Sequence, residues 1–453
     1  MLKKENIYMV GGCVRDKMLG LSPKDIDYVV VNTKKEDMVK SGFRQVGKDF
    51  PVFLHPKTGD EYALARIEKK VGKGYKGFEF ECENVSLEED LKRRDLTINA
   101  MAINISNEEL FDPYGGQKDI KNKILRHVSE SFKEDPLRVL RVARFASRYS
   151  DFTVAKETIN LMKEIADSGE LKSLTPERVW KETEKALVSD FPEKYFEVLK
   201  ECDALKEVFP FIADMVGVYQ REDYHYEGDV FIHTMMVLKE SVFNTKILDE
   251  EDKKMIRLGA LLHDVGKCKT KGENLIQGKH PLHDSADVVE PIFEEIEKKI
   301  KAPKILLQYA KDLALIHQKI HAIKGFKEKS IVNLFNKYNL EKKEKKYNNY
   351  FDNLMLGCRS DAYGRLIKDE NGLGVRPKGY EQEYIARKAF QAYNQNFSSE
   401  IVKEWLKREL LKKDRDEVLD KNNKIINPPV EYIKSELNRR RKYEIKKAIK
   451  NKA

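Results

Sequence analysis

Two aspartates one residue apart, Asp25 and Asp27, follow the glycine pair Gly11-Gly12. Carboxylates this close repel each other unless a cation neutralises them. Hard oxygen donors suit Mg2+, which keeps part of its water shell and also takes substrate phosphates. Held there, Mg2+ would activate an attacking hydroxyl and stabilise a leaving pyrophosphate. A lone Asp-x-Asp usually sits in a solvated turn, and Pro23-Lys24 before Asp25 suggests one. The surroundings point to a site instead. Residues 7–10 form a short apolar run suited to a buried strand, and the glycines that end it admit a second group close to the backbone. Asp27 opens another apolar run at 28–31. Strand alternation then places Asp25 and Asp27 on one face and Ile26 toward the core.

A second constellation runs from Glu134 to Phe145 and is rich in arginine. Helical spacing puts Arg138, Arg141, Arg144 and Arg148 on one stripe, flanked by Leu137, Leu140, Val142 and Phe145. Such a stripe needs carboxylates or an anionic ligand, and surface ion pairs are its usual fate. The functional alternative is a nucleotide surface. A carboxylate accepts from the exocyclic amine of cytosine or adenine, and a guanidinium donates to the neighbouring ring nitrogen, which chooses C and A over U and G. Asp135 equally suits the N-cap of this helix. Upstream, Arg94 of Lys92-Arg93-Arg94-Asp95 is placed to hold triphosphate or sugar. Asp95 and Asn99, four apart on a helix, could hold a ribose hydroxyl.

The third constellation is His233, the pair His263-Asp264, His283 and His317, with His280 a rival to His283. The apolar run 258–262 reads as a buried helix delivering the His-Asp pair. Imidazoles with a carboxylate suit nickel, zinc, iron or manganese, and such an ion activates water for phosphoester cleavage.

The elements that must position these groups differ along the chain. Candidate strands lie at 7–10, 27–31, 61–67 and 100–105, and the Lys- and Gly-rich stretch 69–77 reads as a mobile cationic loop. From about 135 the pattern is helical, with starts at Asp135-Pro136 and Thr175-Pro176-Glu177. The run Arg439-Arg440-Arg441-Lys442 offers a basic face, solvated or in contact with phosphate. A length of 453 residues suggests about three domains, and 41% hydrophobic with 36% charged residues describes a globular chain. A net charge of +9 fits a polyanionic partner. Five scattered cysteines without zinc-ligand spacing imply a reduced, cytoplasmic protein. The first strand follows the N-terminus directly, which leaves no room for a signal peptide, and no stretch is apolar enough to span a bilayer.

Taken in order, these segments resemble the class II CCA-adding enzymes, the tRNA nucleotidyltransferases, in the bacterial multifunctional subgroup with an HD phosphohydrolase domain. The matching pieces are residues 10–16, Lys24-Asp25-Ile26-Asp27, Asp49-Phe50-Pro51-Val52-Phe53, residues 61–66, 92–100, Asp112-Pro113-Tyr114, 134–145 and 175–182. The likeness is dense to about residue 210 and thinner beyond. It implies an α+β chain: a polymerase β-like mixed-sheet nucleotidyltransferase head (1–140), a helical neck (141–222), an HD domain (223–334) and a helical basic tail (335–453). It implies that Asp25 and Asp27 are catalytic Mg2+ ligands, with Glu61 a third carboxylate. Gly12, Arg15, Arg94, Arg141 and Arg144 are implied contacts to CTP and ATP, and Asp135 with Arg138 the protein template for C and A. The stretch 69–77 falls where the family has a loop linked to adding the final A. His233, His263, Asp264, His283 and His317 are the implied ligands of a transition metal such as Ni2+, in a phosphatase and 2′,3′-cyclic phosphodiesterase centre. Gln318 follows His317 where the resemblance calls for Asp. The partners implied are tRNA, CTP and ATP, with no membrane, for a monomer or homodimer. A poly(A) polymerase, or an enzyme adding only CC or only A, is the alternative; a phosphohydrolase or RNA-holding scaffold is a more distant one.

Overall fold

The computed structural model describes the chain except for residues 1, 24, 47–51, 71–77, 396, 398, 399, 402, 406–427 and 451–453, and for 68–70, 78–80 and 450 it describes the backbone alone. The described residues fall into two compact units. One comprises Met1–Val216 with Glu294–Ala302, the other Gly217–Phe293 with Pro303–Ala453.

The first unit is built on a seven-stranded mixed sheet in the order β3 (Arg44–Val46), β4 (Val52–Leu54), β5 (Glu61–Leu64), β2 (Asp27–Val30), β1 (Ile7–Val10), β8 (Ala102–Asn104) and β9 (Leu110–Phe111). The strands that matter are β1, β2, β5 and β8. β1 runs antiparallel to both β2 and β8, whereas β2 and β5 are parallel. Register sets Asp27 opposite Val10 on one side and Glu61 on the other. The sheet buries Val10, Val29 and Ala102 on one face and Ile7, Val30 and Leu64 on the other, the alternation a two-sided core requires.

Four local expectations change in detail. Asp25 lies in a bend ahead of β2, so it does not share a strand face with Asp27; both remain exposed while Ile26 packs toward Met9, Cys13 and Val14. The run 61–67 is split. The Arg66 amide is taken by Asp90 Oδ1 at 3.2 Å and its carbonyl by Arg93 Nε at 3.1 Å, so neither can join the ladder, and the chain restarts as β6 (Ile67–Lys70) paired with β7 (Phe78–Glu81). Lys69 and Lys70 are therefore strand, not loop; residues 71–77 and Asp49-Phe50-Pro51 lie outside the described residues. Residues 97–99 form a 3-10 turn before β8, so Asp95 and Asn99 are not one helical turn apart on a regular helix.

Helices follow from about 137, as the pattern requires. In the first unit α1 (Gly12–Met18) leaves the Gly11 turn, α3 (Leu87–Lys92) starts at a Ser86–Glu89 capping box, and α5 (Leu137–Arg148) carries the arginines. Asp135 Oδ1 accepts from the Leu137 amide at 3.1 Å, and Thr175 caps the helix Pro176–Leu187 by accepting from the Arg178 amide. The second unit is helical. Its principal helices are Val230–Asn244, Glu250–Leu262, Lys304–His321 and Tyr350–Gly364. The final described helix, Val430–Lys450, carries the basic run. Arg439 and Arg440 reach Glu436, Arg440 also reaches Glu400 and Glu404, and buried Arg441 lies 3.8 Å over the Tyr393 ring while reaching Glu341. These arginines hold protein to protein. Among the described residues no helix is long and apolar enough to cross a membrane, and all five cysteines are free.

Candidate active sites: an arginine-walled cavity and a buried histidine centre

Gly11 ends β1 at φ +75°, a region that side chains avoid. A Cβ there would also lie 2.9 Å from Arg94 Nη1. The turn thus lets the Arg94 guanidinium lie against backbone, beside Asp27. Around it is a cavity of about 600 Å3 lined by Gly12, Arg15, Asp27, Arg94, Asp95, Asp135, Arg138, Arg141, Arg144 and Arg148, with Arg66 and Arg93. All the proposed nucleotide contacts therefore face one space. Asp25 and Glu61 are not on its wall, though Glu61 is the lateral neighbour of Asp27 in the sheet.

The arginines do not stand free. Arg141 Nε donates to Asp95 Oδ2 at 2.7 Å, Arg144 pairs with Glu182 at 2.5 Å, and Arg148 with Asp16 at 3.4 Å. Arg15 is buried, its Nη1 donating to Asn99 Oδ1 at 2.6 Å and its Nη2 to Asp16 at 2.7 Å. The Phe145 ring lies 4.3 Å from Arg144 and 5.2 Å from Arg15. Pre-neutralised guanidinium groups packed on a ring keep their geometry without a ligand, and keep donors on the cavity side.

Two residues depart from the expected roles. Arg138 leaves the stripe: it is buried, and its guanidinium donates to the Ser131 carbonyl and, at 2.6 Å, to the Arg93 carbonyl. Asp135 is both cap and ion-pair partner, receiving Arg178 Nη2 at 3.0 Å. Asp95 and Asn99 bind each other at 3.0 Å. Asp90, which sequence reasoning passed over, is fully buried and anchors the Arg66 amide, Arg93 and Arg94. Its spacing to Arg93 and Arg94, three and four residues, was the available signal.

Charge states follow from these partners. Desolvation pushes the Asp27 carboxyl up, Asp25 adds to this, and Arg94 opposes it. Desolvation also raises Asp95 and Asp90, but Arg141 in one case and Arg93 with Arg94 in the other prevail and hold each below the usual carboxylate range. A carboxylate pushed up by a neighbouring carboxylate is one that a divalent cation relieves, so Asp27 with Asp25 fits Mg2+ by charge and donor type.

The histidine centre is assembled within the second unit. His263, His283 and His317 each donate Nδ1–H to a backbone carbonyl: Ala260 at 2.7 Å, His280 at 2.6 Å and Leu313 at 3.0 Å. Their Nε2 lone pairs therefore face the two oxygens of Asp264, acceptor against acceptor, an arrangement that a cation between them relieves. Oδ2 lies 3.2 Å from His263 and 3.7 Å from His233; Oδ1 lies 3.4 Å from His317 and 3.5 Å from His283. The structure adds Asp361, whose Oδ1 is 3.2 Å from His233 Nε2 and 3.8 Å from His263 Nε2. Behind it, Oδ2 takes His321 Nε2 at 2.6 Å, and His321 Nδ1 meets the Tyr380 hydroxyl at 2.8 Å. Glu227 lies 2.8 Å from His233 Nδ1, and Lys267 Nζ is 2.6 Å from Asp264 Oδ2. His280 is not at the centre; it bonds Thr270 and the Tyr219 carbonyl. Gln318 places its amide nitrogen 3.2 Å from His317 Nε2.

Three carboxylates here face one ammonium, which leaves two negative charges when the imidazoles are neutral. Burial pulls His233 down, but its bonds to Asp361 and Glu227 outweigh this and raise it to about 9. The field therefore calls for a cation at that nitrogen. Buried Asp264 Oδ1 and His283 Nε2 make no hydrogen bond among the described residues. Imidazole and carboxylate donors, uncompensated negative charge and orphaned buried atoms together fit a divalent transition ion.

Comparison with known proteins places the chain. Residues 7–126 match the poly A polymerase head domain, 151–216 the probable RNA and SrmB-binding site of polymerase A, and 230–354 the HD domain. It is 46% identical over 388 residues to a multifunctional CCA protein of Acinetobacter baumannii (strain SDF), covering 85% of this chain and 89% of that one. A multifunctional CCA protein of Pasteurella multocida (strain Pm70) is 42% identical over 415 residues, 91% and 94% of the two chains. In fold it is similar to a CCA-adding enzyme in apo form II, with a TM-score of 0.58 at 21% identity over 95% of this chain and 91% of that one. A tRNA-processing enzyme in apo form I gives 0.52 at 25% identity over 78% and 83%.

Proposed function

The chain belongs to the multifunctional CCA protein family and is a tRNA nucleotidyltransferase, and from that premise we propose where and how it works. The arginine-walled cavity beside Gly11 binds CTP and then ATP, and the 3′ hydroxyl of tRNA attacks the α-phosphate with loss of pyrophosphate. Asp25 and Asp27 would hold Mg2+, with Glu61 alongside, and the ion would there lower the pKa of the attacking hydroxyl and balance charge on the leaving group. Arg94, held against Gly11 and tied to Asp90 at 3.1 Å, faces the triphosphate. Arg15, Arg141 and Arg144 present a fixed cationic wall, so little reorganisation is needed as charge shifts. Asp135 and Arg138 read the base edge, the first accepting from the C or A amine and the second donating to the ring nitrogen. Arg178, donating to both carboxylate oxygens, orients Asp135 for this.

The observation that carries the reading is the convergence of these side chains on one cavity with Asp27 on its wall. The test is incorporation of labelled CTP alone, ATP alone and both into tRNA lacking its last three nucleotides. Two C additions followed by one A are expected. Only A, or runs of A, would give the place to a partial enzyme or a poly(A) polymerase.

In the second unit His233, His263, Asp264 and Asp361 would hold a divalent transition ion, Ni2+ or a near relative, which would supply an activated water for phosphoester cleavage. His283 and His317 turn their Nε2 lone pairs to the other oxygen of Asp264 and would help hold a cation there, where the Gln318 amide donates to His317 Nε2. The domain order is a nucleotidyltransferase head (1–140), neck (141–222), HD domain (223–334) and tail (335–453), in a cytoplasmic protein. Because its arginines are engaged with protein carboxylates, the tail helix is assigned to scaffolding.

A further inference from the structure

Beside His283 the second unit holds a further cavity of about 460 Å3. This suits one small ligand and is far too small for a duplex. Its charged wall has one sign, with Arg221, Lys279 and Arg365 among the lining and no Asp or Glu. Two buried donors on that wall, Gln220 Nε2 and Arg365 Nε, make no hydrogen bond among the described residues. Gln220 is 1% exposed and gives its Oε1 to Lys267 Nζ at 2.6 Å, which fixes the amide so that Nε2 is the free end. Lys267 Nζ is in turn 2.6 Å from Asp264, so the wall is one ammonium away from the histidine centre. Buried donors without acceptors are costly, and an oxyanion removes that cost. Tyr224 also lines the cavity and is 60% exposed, with the Arg221 guanidinium 5.5 Å over its ring. An exposed aromatic face beside cations is a stacking platform for a nucleobase.

We propose that this wall supplies the residues that position the nucleotide substrate of the histidine centre. The phosphate of that nucleotide is bound by Arg365, Gln220 and Lys279 next to the histidine centre, and its base stacks on Tyr224. The proposal rests on the phosphohydrolase reading above and adds to it a substrate pocket and the residues that select for a nucleotide.

The test titrates orthophosphate and adenosine 3′-monophosphate into the metal-loaded full chain by calorimetry, comparing Arg365→Ala, Lys279→Ala and Tyr224→Ala with wild type. Arg365→Ala is expected to weaken both ligands by about 10-fold or more at one site per chain. Metal content and CTP incorporation stay at wild-type values, which shows that the variant folds. Exposed Lys279→Ala, which carries no folding risk, is expected to weaken both ligands by a smaller factor. Tyr224→Ala weakens the nucleotide alone, since orthophosphate has nothing to stack. Wild-type affinity for both ligands in Arg365→Ala and Lys279→Ala overturns the proposal, as does equal affinity of wild type and Tyr224→Ala for the nucleotide. Binding with this variant pattern, but no turnover of p-nitrophenyl phosphate, supports the pocket while refuting the hydrolase reading.

Discussion

Around the cavity beside Gly11 most of the buried and half-buried charges are arginines, matched by carboxylates such as Asp95, while Asp27 and the nearby Asp25 stand exposed. In the histidine centre the order is reversed. Asp264 and Asp361 are buried, and cations line the approach, Lys279 exposed and Arg221 half-buried. The contrast follows from what each must keep. Exposed carboxylates bind Mg2+ weakly until a triphosphate completes the shell, so ion and product can leave together. Buried ones carry uncompensated charge and retain a resident ion. The arginine wall avoids the corresponding cost by being matched internally, Arg141 with Asp95 and Arg144 with Glu182.

The sharpest way to break this contrast is Asp27→Ala. We expect CTP and ATP incorporation to fall by about 1000-fold or more, with phosphate-ester hydrolysis unchanged; radiolabel incorporation and p-nitrophenol release measure the two. A variant still adding CMP at a near-normal rate removes the metal role. Next comes Asp264→Asn, expected to lose the resident ion and about 100-fold in ester hydrolysis while CTP incorporation continues, as followed by elemental analysis of the purified chain. If hydrolysis and metal content both survive, Asp264 is not the shared ligand.

Smaller effects sharpen the first centre. Asp95→Asn leaves Arg141 without its charged partner and is expected to cost about 3 kcal/mol at neutral pH. The Asp95 carboxyl is held low in the folded chain, so its contribution is complete above the ordinary carboxylate value of about 4 and is lost as pH falls through the lowered one. Thermal melts of the two proteins should therefore differ equally at pH 7 and 5 and converge below about pH 4. A gap that stays constant in acid contradicts the ion pair. Arg138→Ala leaves the Ser131 and Arg93 carbonyls unpaired, worth about 1–3 kcal/mol. If Arg138 reads bases, discrimination against UTP falls together with the CTP rate. Equal loss for both nucleotides makes it a strut.

How much of this was legible depended on the reach of each contact. Gly11, Asp25 and Asp27 fall in one short window, and the arginines of α5 lie on one helix, so periodicity alone placed most of them. Periodicity could not say that Arg138 is tied into the wall of the cavity, because its acceptors are carbonyls of Ser131 and Arg93, the latter 45 residues back. Asp361 was missed because its partner His233 is 128 residues distant. A clue existed: Leu354, Cys358 and Asp361 share the buried face of one helix, and a carboxylate there demands a partner. The strand 61–67 broke for a similar reason, since Asp90 and Arg93 claim the Arg66 backbone from another element.

The Nδ1 bonds of His263, His283 and His317 have one more effect. Main-chain carbonyls select a single tautomer for all three rings, at no expense of further side chains. A freshly translated chain that reaches this fold is thereby ready for its ion before meeting it. For these three rings uptake should wait on no ring flip, whereas His233, raised to about 9 by Asp361 and Glu227, gives up a proton as the ion enters.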